Sequence, residues 1–112
     1  MGPFAAGQVI VLPFPFSDLS ASKYRPALLL ANAGRRDWIA CQITSNPYAD
    51  ALAIALTQAS FDEGGLQRDS FIRPGKLFTA NEGLFVSVAG RVRGELLDAA
   101  RAAVIAMIRG EG

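Results

Sequence analysis

Histidine is absent from these 112 residues, and cysteine occurs once. Without an imidazole, a Ser-His-Asp triad, a Cys-His nucleophile and a two-histidine acid/base pair are all excluded. A zinc site would have to be built from carboxylates around Cys41 alone, a poor donor set for that ion. One thiol forms no internal disulfide, which fits a reducing cytosol. Charge is scarce as well, at 19% of residues with a formal net charge of +1. An overall basic field of the kind many duplex-binding proteins carry is therefore missing, although a local basic patch stays open. No apolar run approaches the ~20 residues that a bilayer requires. Met1-Gly2-Pro3-Phe4 places no basic residue ahead of its apolar stretch, unlike a signal peptide. The expectation is a soluble, cytoplasmic, single-domain chain over residues 1–112, without membrane, metal or cofactor. Its chemistry has to run on Arg, Lys, Asp, Glu, Tyr, Thr or Ser.

Hydrophobic residues supply 51% of the chain, enough for a small core but not a large one. Val9-Ile10-Val11-Leu12 reads as a strand, followed by Pro13-Phe14-Pro15-Phe16, whose prolines belong on a sheet edge or outside the sheet. Residues 17–23, small and polar, read as a mobile loop. Residues 26–31 form a second strand, apolar on both faces and therefore central. Residues 32–36 form a hairpin-type turn. Residues 37–44 alternate, with Ile39, Cys41 and Ile43 on the core face and Trp38, Ala40, Gln42 and Thr44 on the other. Further strands are expected over 53–57, 68–73 with a continuation at 76–79, and 85–92. Glu63-Gly64-Gly65 reads as a turn, and Gly90 as a bulge or a point of close approach. Leu97, Ala100, Val104 and Met107 or Ile108 then recur at helical spacing. Glu95 and Asp98 lie near the start of that helix and Arg109 near its end, matching its dipole. The fold class is mainly β, five or six mostly antiparallel strands with a C-terminal α-helix packed on them.

Two runs carry the chemistry. Lys23-Tyr24-Arg25-Pro26 places a permanent cation at the mouth of the second strand, and Ile43-Thr44-Ser45-Asn46 ends the third in a hydroxyl pair. If those strands form a hairpin, the start of one adjoins the end of the other, so the guanidinium and the hydroxyl meet. A guanidinium fork holds two phosphate oxygens at once, which an ammonium does not. The plainer readings are an arginine in a surface ion pair and a hydroxyl bonding its own backbone. Arg73 and Asp69 share a strand face in this reading, as a second cation with a carboxylate or as a self-neutralising pair. Phe14, Phe16, Tyr24 and Trp38 cluster towards the same end, as core residues or as stacking surfaces for unpaired bases. Cys41 reads as buried and inert.

Gly7-Gln8-Val9-Ile10-Val11, Lys23-Tyr24-Arg25-Pro26-Ala27-Leu28-Leu29-Leu30, Ile43-Thr44-Ser45-Asn46, the run from Gly65 to Leu77 (GLQRDSFIRPGKL), Gly90-Arg91-Val92 and the terminal helix follow one another in an order that resembles the MazF/PemK family, the toxins of type II toxin–antitoxin systems. That resemblance implies a small SH3-like β-barrel, a homodimer, and a metal-independent endoribonuclease acting on single-stranded RNA, mostly mRNA. It also implies a cognate antitoxin whose C-terminal tail occupies the RNA groove. The family's catalytic arginine falls on Arg25 and its threonine on Thr44. Lys23, Tyr24, Ser45, Arg73 and Lys76 become the expected RNA contacts. An aspartate that some members use falls on Gly75, where this chain departs from the pattern and leaves the general base unassigned. The attacking group would be the substrate's own 2′-hydroxyl. The same barrel also serves CcdB-type toxins, which poison DNA gyrase without nuclease chemistry. An inactive member acting as a binding module is the third expectation.

Overall fold

The computed structural model describes residues 3–15 and 22–111. Seven strands, β1 (Gln8–Pro15), β2 (Ser22–Gly34), β3 (Asp37–Thr44), β4 (Ile54–Leu56), β5 (Phe61–Gly64), β6 (Ser70–Asn81) and β7 (Ser87–Val92), precede one helix, α1 (Gly94–Ile108). They form one sheet in the order β4-β6-β3-β2-β1-β7-β5, and every pairing is antiparallel. The sheet curls into a half-barrel with α1 as the single C-terminal helix.

Both faces of the central strands are buried. On one face Val9, Leu28, Cys41, Ile43 and Ile72 pack towards Ala100 and Val104 of α1. On the other Ile10, Leu12, Ala27, Leu29, Trp38 and Ala40 form a second cluster, roofed by Phe4, Phe78 and Phe85. The alternation read in β3 is therefore real, but its even-numbered face carries a second core rather than an open surface. Trp38, read as a candidate base contact, is 4% exposed and donates from its indole Nε1 to Glu82 at 2.9 Å. Phe14 is half-buried against the Phe78 ring, centroids 4.9 Å apart. Phe16 and most of the loop expected over 17–23 lie outside the described residues, and Lys23 belongs to β2.

Proline and glycine placement explains where the sheet departs from the expected strands. Pro13 and Pro15 stay in β1, paired to Tyr24 and Ser22, while β7 covers the opposite side of β1 only as far as Val11. The prolines thus occupy the stretch of β1 whose outer side has no ladder to feed. In β6 the register against β3 jumps from Leu77 opposite Cys41 to Arg73 opposite Gln42. Pro74, Gly75 and Lys76 are left without partners, and a proline is tolerated there because the ladder is already interrupted. β5 lies where a turn was expected. Gly64 at φ +66° brings its backbone against Ala89 and Gly90 of β7. A Cβ at Gly64 would lie only 2.8 Å from the Gly90 Cα, so neither glycine has room for a side chain. Glu63-Gly64 pairs as strand because β7 offers Gly90 opposite it.

A bulge in β2 ties the helix to the sheet. Leu30 falls between the pairs Leu29–Ala40 and Ala31–Ile39, so its carbonyl drops out of the ladder. Arg101 of α1 donates to that carbonyl from Nε at 3.0 Å and Nη2 at 2.7 Å. No helix among the described residues is long and apolar enough to cross a membrane.

Candidate functional site

Arg25 sits opposite Leu12 on the β1 side. On the β3 side the register runs Leu28–Cys41 and Ala27–Gln42, and two more residues along it bring Arg25 opposite Thr44. Directly opposed residues share a face. Accordingly both line one open cleft of about 420 Å³, with Tyr24, Pro26, Ile43 and Ser45 from the same strand ends and Leu66, Gln67, Arg68 and Ser70 from the segment between β5 and β6. Among the described residues the lining holds two guanidinium groups, Arg25 and Arg68, and the hydroxyls of Tyr24, Thr44, Ser45 and Ser70, but no carboxylate. A cleft of that composition favours an anion with several acceptor oxygens.

Thr44 is 8% exposed, and its hydroxyl is tied locally. Oγ1 donates to the Asn46 carbonyl at 3.1 Å and accepts from the Asn46 N–H at 3.2 Å. This is the self-bonding arrangement hydroxyl residues favour at strand ends, and it fixes the Thr44 rotamer at the cleft wall. Ser45 and Tyr24 are exposed, Tyr24 at 69%. Ser70 donates to the Arg68 carbonyl at 3.1 Å, which holds the opposite wall.

Arg73 stands apart from this lining. It is opposite Gln42, two residues before Thr44 on β3. Its Nε donates to Asp50 Oδ2 at 2.9 Å, and Nη1 lies 3.5 Å from Gln42 Oε1. Asp69 is not its partner, because β6 begins at Ser70 and leaves Asp69 outside the strand. The hydrogen bond from Arg73, helped by the Leu52 N–H, holds the Asp50 carboxyl below the usual carboxylate range. Lys76 is exposed in the β6 interruption and adds to the field on Asp50. A Cβ at Gly75 would lie 3.6 Å from Met107 Sδ of α1, so a side chain there would meet the helix.

The loop after Thr44 is held in an unusual conformation. Tyr48 and Ala49 both adopt positive φ, 54° and 58°. For residues with a Cβ this costs about 1–2 kcal/mol each. Asn46 Oδ1 accepts from the Tyr48 N–H at 3.0 Å, the Asp50 N–H donates to Pro47 O at 2.9 Å, and Asp50 Oδ1 accepts from Leu52 N at 2.9 Å. The Tyr48 ring covers the Arg73 guanidinium, 5.5 Å from centroid to Cζ, within cation–π range.

The wall from Leu66 to Ser70, the Asp50 carboxylate and Tyr48 were not among the residues the sequence singled out as a site. For the wall a signal existed, since Gly64-Gly65 followed by a cation precedes a strand. For Asp50 none did, because its partner lies 23 residues away. Among the described residues no group of three His, Cys, Asp or Glu side chains converges.

The fold and cleft together define a class: a seven-stranded antiparallel half-barrel with one C-terminal helix and a cleft at the strand ends lined by two arginines. Comparison with solved structures places the chain in the MazF-type toxin fold. An endoribonuclease in complex with its cognate antitoxin, from a mycobacterial species, superposes with a TM-score of 0.70 over 100% of this chain and 98% of its own, at 15% identity. The Mycobacterium tuberculosis toxin MazF-mt6 gives 0.70 over 91% and 96%, at 13% identity. The MazE-MazF structure from Deinococcus radiodurans gives 0.68 over 96% and 95%, at 16% identity. No protein-family model matches the sequence, and no curated protein matches it.

Proposed function

We propose that this chain is a MazF-type endoribonuclease that cleaves single-stranded RNA and acts as the toxin of a toxin–antitoxin pair. The observation that carries the reading is the convergence of Arg25 and Thr44 in one cleft with a second guanidinium, that of Arg68. The similar structures add support, since one is described as an endoribonuclease in complex with its cognate antitoxin and another as MazE-MazF.

In this mechanism the 2′-oxygen of the substrate attacks the adjacent phosphorus and the 5′-oxygen leaves. The products are a 2′,3′-cyclic phosphate and a 5′-hydroxyl. Among the described residues the cleft lining offers neither carboxylate nor imidazole, so the proton lost from the 2′-hydroxyl goes to solvent water and the departing 5′-oxygen takes one up from solvent water. Arg25 stabilises the charge building on the non-bridging oxygens and assists the departing 5′-oxygen. A single donor of this kind is worth ~2.7–4 kcal/mol of transition-state stabilisation. Thr44 orients the phosphate, with Ser45 beside it, and Lys23, Tyr24 and Lys76 contact the strand on either side, while Arg73, expected as a further contact, is held by Asp50 beneath the Tyr48 ring. The toxin works as a cytoplasmic homodimer, and an antitoxin segment blocks the same cleft.

Incubating the purified protein with a mixed RNA pool and mapping the cut ends tests this. Cyclic phosphate ends that persist in EDTA and vanish in Arg25→Ala, with the variant still folded, support the reading. Intact RNA, or full activity in Arg25→Ala, refutes it.

A further inference from the structure

The strained loop after Thr44 presents Tyr48 in a manner the cleavage mechanism does not use. Tyr48 is 66% exposed, yet its backbone lies in the left-handed region and is tied down by Asn46. Beneath it the Arg73 guanidinium is clamped by Asp50, with both side chains mostly shielded at 16% and 14% exposure. An exposed aromatic normally gains by folding down onto apolar surface. Here the chain instead holds the ring in an unfavourable conformation over a fixed cation, and strain of this sort concentrates at functional positions. The phenol makes no hydrogen bond among the described residues, so the ring is not held by its polar end. Arg73 is opposite Gln42, and Gln42 precedes Thr44 by two positions on the same face of β3. The platform therefore adjoins the cleft along the direction an extended strand would take.

We propose that Tyr48, stacked over the Asp50-clamped Arg73, is a platform for one unpaired base of the RNA next to the cleaved phosphate. The outer face of the ring takes the base and Arg73 stiffens the ring from below. Such stacking is tolerant of sequence, since every base has a π-face. The proposal rests on the RNA-cleaving reading given above.

The test measures binding of a randomised single-stranded RNA pool carrying 2′-O-methyl groups, which lacks the attacking hydroxyl, by fluorescence anisotropy. Tyr48→Ala should weaken binding roughly 5- to 150-fold, and Tyr48→Phe should retain it. Tyr48→Gly separates folding from recognition: glycine relieves the positive φ, so its melting temperature should hold or rise while its affinity falls with that of Tyr48→Ala. If Tyr48→Ala and Tyr48→Gly bind as tightly as the wild type while the wild type cleaves RNA, the platform is refuted and the nuclease stands. That remains so if either variant loses a protein partner instead. If the wild type neither binds nor cleaves RNA, both readings fall.

Discussion

Replacing Thr44 by valine separates a structural hydroxyl from a working one. The side-chain volume is nearly kept, so the change is confined to Oγ1 and its two bonds with the Asn46 backbone. Each bond contributes about 0.5–1.5 kcal/mol net. Asn46 is exposed, so its freed N–H and carbonyl find water and the penalty of a buried unpaired group does not arise. The loss of stability should be about 1–2 kcal/mol, read from urea unfolding with an unchanged m-value. Against an ordinary domain stability of ~5–15 kcal/mol, such a protein stays almost wholly folded at 25 °C. Its cleavage rate per folded molecule should nonetheless fall ~10²–10³-fold if the hydroxyl meets the phosphate in the transition state. Thr44→Ser keeps both bonds and most of the rate. Should Thr44→Val cleave RNA within about threefold of the wild type while losing the expected stability, Thr44 is only a turn-forming residue and its part in the mechanism is wrong.

Three further outcomes follow from the packing and the ionisable groups. Gly90→Ala pushes a methyl group against the Glu63 carbonyl, the Gly65 nitrogen at 2.9 Å and the Phe61 ring at 3.0 Å. Since two of these neighbours are backbone, it should cost about 3 kcal/mol or more, whereas Gly94→Ala, with open space around it, should be neutral; denaturant midpoints decide. Burial pushes the Cys41 thiol up to about 12, so iodoacetamide at pH 8 should leave the native protein unlabelled and label it once unfolded, as mass spectrometry would show. Above pH 9 the unfolded thiol ionises and the native one does not, so this group's contribution to stability declines as pH rises towards 12. The Arg73 hydrogen bond lowers the Asp50 pKa, so the stability this pair contributes is complete above the unfolded value near ~3.9 and is lost as pH falls through the lower folded value. Asp50→Asn should flatten the melting-temperature profile below pH 4, and an unchanged acid limb would show that the pair contributes nothing.

What the sequence revealed of the site came from periodicity. Arg25 and Thr44 could be brought together on paper because an apolar strand and an alternating strand, joined by a short turn, have one sensible antiparallel register. The terminal helix was legible for the same reason. Interactions that depend on distant chain were not. Glu63-Gly64 has the composition of a turn, and only the glycine of β7 opposite it makes a strand there. Arg73 was matched to Asp69 by spacing, yet the chain returns Asp50 to it from the preceding loop. The sequence leaves Trp38 between core burial and base stacking, and Phe78, Phe85 and Ala80, packed in the same cluster, decide for burial. Strain at Tyr48 is a property of dihedral angles, and nothing in the letters Asn-Pro-Tyr-Ala-Asp announces which residues take positive φ.

The segment between β5 and β6 has a consequence for synthesis. β5 pairs only with β7, and β6 lies near the other edge of the sheet, so residues 65–69 bridge the two sides as a strap. That strap supplies Leu66, Gln67 and Arg68 to the cleft. A chain still emerging from the ribosome can form the hairpin carrying Arg25 and Thr44 early, because that pairing is local. It cannot close the cleft until residues 87–92 are out to hold β5. The cleft is thus complete only once the chain has been made through β7, and until then its hairpin wall stands without the opposite one.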